Sequence, residues 1–153
     1  LFTPHKTKLA VVGCPRNCAE ATVKDIGLVG QEGSWQVVVG GAAGKSVRKA
    51  DLLITVATTE EALEGAELFF QYYRENANYL ERTYDFVERF GMEKIRRETV
   101  YAPDDKKAGL LERLRKAKGM SRDAWLERDQ PVTPAQFVQI QPLQQPAVAL
   151  KTN

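Results

Sequence analysis

Cysteine is scarce in this sequence: 153 residues hold two, Cys14 and Cys18. A secreted disulfide scaffold would carry more, at wider spacing. The pair fits a reducing, cytoplasmic setting in which thiols bind metal or do redox chemistry. Histidine is scarcer still, with His5 alone. Long apolar runs are also missing. None approaches the ~18 residues that span a bilayer, and the N-terminus lacks the basic-then-apolar pattern of a secretory signal, so no membrane partner is expected. An excess of one charge is absent too: 22 Lys and Arg stand against 20 Asp and Glu, a formal +2. That balance gives no electrostatic footing for nucleic acid. The first residue is Leu, not Met, which is the expectation for a piece of a longer chain.

What is present divides into strands first and helices after. Residues 8–12 (KLAVV) read as a short buried strand, 26–30 (IGLVG) as a second and 35–39 (WQVVV) as a third. Gln31-Glu32-Gly33-Ser34 supplies a turn that makes the last two a hairpin. Residues 52–56 (LLITV) predict another strand. Thr58 or Thr59 then offers an N-cap, with Glu60 and Glu61 suited to a first helical turn. Leu63, Ala66, Phe69, Phe70 and Tyr73 keep helical spacing to about Ala77. Further helices are expected over about 79–90, with Leu80, Tyr84 and Val87 on one face, and over 92–100 and 104–118. From about residue 129 the chain turns Gln- and Pro-rich and nearly uncharged, an extended tail with too little apolar surface to order itself. The order of elements predicts an α+β fold: a small mixed sheet packed with helices, then a C-terminal helical segment and the tail. The expected division is 1–100, 101–128 and 129–153.

The informative segment is Gly13-Cys14-Pro15-Arg16-Asn17-Cys18. Proline is tolerated at the first position of a helix, so Cys14 is expected at an N-cap, with residues 19–24 helical. Cys18 would then lie one turn later on the same face. Unpaired amides at such a terminus favour thiolate and metal–sulfur ligation. The spacing alone leaves two unreactive thiols open. Two cysteines also cannot complete the four thiolates of an iron–sulfur cluster. His5 is expected to be a surface residue, not a further ligand. A thioredoxin-like pair is disfavoured, because its spacer has two residues.

Residues 40–46 (GGAAGKS) look like a phosphate-binding loop but miss its spacing. The first Gly should stand at position 39, which is Val39. ATP or GTP binding is therefore not expected. The glycines do allow backbone and Lys45 to approach an anionic ligand closely.

Taken together, Gly13-Cys14-Pro15-Arg16-Asn17-Cys18-Ala19-Glu20, the following Lys24-Asp25-Ile26-Gly27-Leu28-Val29-Gly30 and the strand ending in Gly40-Gly41 resemble the second cysteine half-motif of siroheme-dependent nitrite and sulfite reductases. Phe70-Gln71-Tyr72-Tyr73-Arg74-Glu75, Tyr79-Leu80-Glu81-Arg82-Thr83 and Arg89-Phe90-Gly91-Met92-Glu93-Lys94-Ile95 resemble the large subunit of the NAD(P)H-dependent nitrite reductases in particular. The resemblance covers about residues 4–100.

It implies an oxidoreductase of nitrate assimilation, cytoplasmic, whose intact form reduces nitrite to ammonium. Electrons would pass from NAD(P)H through FAD to a [4Fe–4S] cluster and siroheme. Cys14 and Cys18 would be two of the four cluster ligands, Cys18 bridging to the siroheme iron. Arg16, Asn17, Lys45 and Arg48 are the candidates to meet siroheme carboxylates, although Ala42 stands where relatives often carry Asn. The upstream domains of the same chain, a possible small subunit and nitrite are the expected partners, and the piece alone should be inactive. Sulfite reductase of the same family is the close alternative. A non-catalytic metal-binding or redox-sensing module using Cys14 and Cys18 is another, and a helical interaction domain over 59–118 a third.

Overall fold

In the computed structural model, residues 1–121, Asp123 and Glu127 are described. The expected tail at 129–153 lies outside them. In chain order the strands are β1 (Leu9–Val12), β2 (Ile26–Gln31), β3 (Ser34–Val39), β4 (Ala42–Ala43), β5 (Val47–Arg48) and β6 (Asp51–Val56). A 3₁₀ turn occupies Ala21–Val23. The helices are α1 (Thr59–Asn76), α2 (Thr83–Phe90), α3 (Met92–Glu98) and α4 (Asp104–Met120). The α+β class stands.

The main sheet has the order β1-β2-β3-β6, and β4 and β5 form a separate two-stranded ribbon. β2 and β3 are the expected hairpin, in register from Ile26 opposite Val39 to Gln31 opposite Ser34. Gly33 takes φ 67° at its turn. β6 pairs antiparallel with β3, and the register steps past Leu53 between Val37 and Val38. β1 instead runs parallel to β2, with Leu9 opposite Ile26 and Val12 opposite Val29. A parallel pair cannot be closed by a hairpin. The chain must travel back along the sheet between Val12 and Ile26, and both cysteines lie on that crossover.

Alternation in the strands sorts the two faces. Ile26, Leu28, Val37, Val39 and Leu53 pack under the helices with Phe69, Tyr73, Phe86 and Ile95 in the main core. α1 begins at the expected cap: Thr58 Oγ1 accepts from the Glu61 amide at 3.2 Å, and Glu61 returns a carboxylate to the Thr58 amide at 3.1 Å. Leu63 does not join the buried stripe and is half exposed. The opposite sheet face carries a smaller cluster, Val12, Ala21, Val29, Val38 and Ala50.

α2 starts at Thr83, four residues later than expected. Leu80 sits at φ 64°, a left-handed conformation that breaks a helix, and its amide is captured by the Pro4 carbonyl at 3.0 Å. The buried face is therefore Thr83, Phe86 and Val87, while Leu80 is 59% exposed.

Candidate functional site

The crossover is not a helix. The Asn17 amide donates to the Cys14 carbonyl at 3.3 Å, and the Glu20 amide to the Asn17 carbonyl at 2.8 Å. These are two consecutive turns, Cys14 opening the first and Cys18 lying inside the second. The expected N-cap at Cys14 and the helix over 19–24 are both corrected: the only helical hydrogen bonding here is the 3₁₀ turn at Ala21–Val23. The cause is Asn17, at φ 56°, with Glu20 at φ 54°. Asparagine visits this region because its short side chain bonds locally. Here the Asn17 amide group donates to Thr22 Oγ1 at 2.6 Å, and its oxygen takes the Thr22 amide at 3.3 Å.

Two glycines let the crossover lie flat on the sheet. A Cβ on Gly27 would stand 2.2 Å from the Ala21 carbonyl oxygen, and one on Gly30 would stand 2.6 Å from that of Gly13. Thr22 is held in turn by the Ala50 amide, which donates to its carbonyl at 2.7 Å.

Both thiols are free and exposed. Among the described residues the amides of Arg16, Cys18 and Ala19 donate to no backbone carbonyl. No group of three or more His, Cys, Asp and Glu side chains forms a metal site among the described residues. Two thiolates are half of the donor set of a four-thiolate cluster. His5 is not brought to the thiols; it precedes β1, whereas Cys14 follows it.

The remaining candidates are dispersed. Arg16 is exposed beside Cys14 and makes no ion pair among the described residues. Asn17 spends its side chain on Thr22. Arg48 is committed within the chain: it donates to the Gly40 carbonyl at 2.7 Å and to Asp51 at 2.6 Å, and lies 3.5 Å from Glu88. Lys45 is exposed on the turn between β4 and β5 and lines a cavity that includes neither cysteine. No helix follows Ser46, so residues 40–46 are a strand ribbon and not a phosphate-binding loop.

A second cavity, about 560 Å³, opens beside the crossover and is lined in part by Pro15, Asn17, Val29, Val38 and Leu52. It leaves part of the cysteine-side face of the sheet uncovered.

Sequence reasoning missed Asp25. It is buried, with 1% of its side chain exposed, and accepts from the Lys8 amide at 2.8 Å, Thr83 Oγ1 at 2.5 Å and Arg82 at 3.2 Å. This carboxylate fixes the start of β1 and β2 to the start of α2.

Among the described residues no helix is long and apolar enough to cross a membrane. The family described as the nitrite and sulphite reductase 4Fe-4S domain matches residues 1–106. The nitrite reductase [NAD(P)H] of Bacillus subtilis is 46% identical over 125 residues, which are 82% of this chain and 15% of that protein. The nitrite reductase (NADH) large subunit of Escherichia coli is 33% identical over 126 residues, 81% of this chain and 14% of that protein. The assimilatory-type sulfite reductase of Nitratidesulfovibrio vulgaris is 39% identical over 93 residues, 61% of this chain and 43% of that protein. The chain thus spans about a seventh of the length of these two nitrite reductases.

Proposed function

The chain belongs to the nitrite and sulphite reductase 4Fe-4S domain family, and from that footing we propose that it is the cysteine-bearing part of a nitrite reductase large subunit that reduces nitrite to ammonium. The observation that carries this reading is the pair of exposed thiols on the crossover turns, in a chain 46% identical to a nitrite reductase over most of its length.

Cys14 and Cys18 would supply two thiolates of a [4Fe–4S] cluster, and Cys18 would also serve the siroheme. The cluster and siroheme supply, when bound, the electron relay and the iron at which an oxyanion is reduced. The chain's own part is to hold and tune that centre. The amides of Arg16, Cys18 and Ala19 donate to sulfur and stabilise its negative charge. The Arg16 guanidinium neutralises siroheme carboxylates. Arg48 takes a lesser part, since it already serves Gly40 and Asp51, and Lys45 is left out of this role because it lines a cavity that neither cysteine lines. FAD and NAD(P)H sites, the other two cysteines and the residues that grip nitrite belong to further domains of the parent chain, with a small subunit as a possible partner in the cytoplasm.

Turnover of the intact parent tests this. The enzyme, purified without oxygen, is given NADH or NADPH with nitrite or with sulfite. Nitrite needs six electrons to reach ammonium, so three reduced nicotinamides should disappear for each ammonium formed. A higher kcat/KM for sulfite, with sulfide as product, would move the assignment to the sulfite reductases. Turnover of neither would leave Cys14 and Cys18 to a non-catalytic module.

A further inference from the structure

Lys6, Lys8, Lys24, Lys45 and Arg82 line one cavity of about 320 Å³, with the Asp25 carboxylate in its wall. They come from the lead into β1, the end of the 3₁₀ turn, the β4–β5 turn and the start of α2. Neither cysteine lines it. Lys8 precedes β1 and Cys14 follows it, which at ~3.3 Å per extended residue separates them by roughly 15–20 Å. The cavity and the thiols therefore lie towards opposite ends of the sheet.

The charges in this cavity are not balanced from within. Asp25 is already engaged by Arg82, Thr83 and the Lys8 amide, and Glu20 pairs with Lys24 at 3.1 Å. Lys6, Lys8 and Lys45 have no ion pair among the described residues. The Arg82 Nε–H is buried without a partner. Gathering ammonium groups around a cavity raises their mutual repulsion, and a bound anion relieves it. Three free lysines present compact point charges, which suit the tetrahedral oxygens of a phosphate; planar carboxylates are better matched by a guanidinium fork. Ser46 adds a hydroxyl to the same wall.

We propose that this cavity binds a phosphate-class oxyanion, independently of the cysteine site. Free phosphate and a phosphate carried on a larger molecule share this chemistry, and both are tried.

The test is an amide NMR titration of the full-length parent, isotope-labelled over these 153 residues, with inorganic phosphate in one arm and a phosphomonoester in another. Citrate serves as a third arm, and chloride keeps ionic strength constant. The expected result is saturable shifts in either phosphate arm at Lys6, Lys8, Lys24 and residues 43–46. Lys8→Gln with Lys45→Gln should weaken that binding by roughly tenfold, while Cys14→Ser leaves it unchanged. Because both lysines are exposed, the remaining amide spectrum of the double variant should stay as in the parent. Shifts that fail to saturate in both phosphate arms, or that map to residues 14–20, would overturn the proposal. Saturation by citrate without phosphate would overturn it in favour of clustered carboxylates. The wild-type titration decides the matter even if the variant is unstable.

Discussion

Asn17 and Thr22 are joined by two hydrogen bonds, one from the Asn17 side chain to Thr22 Oγ1 at 2.6 Å and one from the Thr22 amide back to Asn17 at 3.3 Å. This one side chain ties the residue between the cysteines to the 3₁₀ turn that crosses the sheet. It holds Asn17 left-handed and sets the direction in which the chain leaves Cys14 and enters Cys18.

Substitutions at Asn17 should separate these roles. Asn17→Gly keeps the left-handed conformation at little cost but loses both bonds, at about 1 kcal/mol. Asn17→Val loses the bonds and adds about 1–2 kcal/mol of left-handed strain. Urea denaturation at constant slope measures both. Equal midpoints for the two variants would contradict the conformational argument.

Asp25 is the buried carboxylate that joins sheet and helix. Asp25→Ala leaves Arg82, Thr83 and the Lys8 amide without their shared acceptor and should cost about 3–5 kcal/mol. Asp25→Asn keeps acceptor geometry and should cost less. A loss under about 1 kcal/mol for Asp25→Ala would mean that water replaces the carboxylate.

Glu75 links α1 to α4. It receives Arg113 at 2.6 and 3.0 Å and Gln71 at 2.6 Å. The Arg113 hydrogen bonds hold its carboxyl below the ordinary value of 4.5, against the opposing effect of burial. The folded value is the lower one, so its contribution is complete above 4.5 and is lost as pH falls through the depressed folded value. Stability measured from neutral pH downward should drop less steeply in Glu75→Gln over that acid window. Parallel curves for the two proteins would refute the linkage.

Gly27 admits the crossover. Its Cβ would stand 2.2 Å from the Ala21 carbonyl oxygen and 2.8 Å from Val38 Cγ2, whereas one on Gly44 meets nothing within 4 Å. Gly27→Ala should therefore destabilise by about 1–3 kcal/mol or more, and Gly44→Ala by far less. Thermal melts of the two variants make the comparison, and similar shifts would show that the crossover can lift from the sheet.

The legible parts of the sequence were those governed by neighbours in the chain. Gly33 marks the β2–β3 turn, and Thr58 with Glu61 marks the start of α1, because each device closes within a few residues. Cys14-Pro15 satisfies a local helix-start rule and so predicts a helix in the crossover. The structure overrides it through Asn17, whose choice depends on Thr22, itself anchored by Ala50. α2 starts later than its local pattern predicts because the Leu80 amide goes to Pro4, a partner far away in the chain that no local pattern signals. Cys14 and Cys18 were visible as residues. The lysine cavity was not, since its cations come from four separate segments that only the fold brings together.

The central claim, that Cys14 and Cys18 ligate an iron–sulfur cluster, is met most directly by measuring iron and acid-labile sulfide in the full-length parent purified without oxygen. The same measurement is then made with Cys14→Ser and with Cys18→Ser. The account predicts about five irons per chain in the parent, four in the cluster and one in the siroheme, and loss of the cluster iron and sulfide in either variant. Undiminished iron and sulfide in both variants, in protein that remains folded, would contradict it.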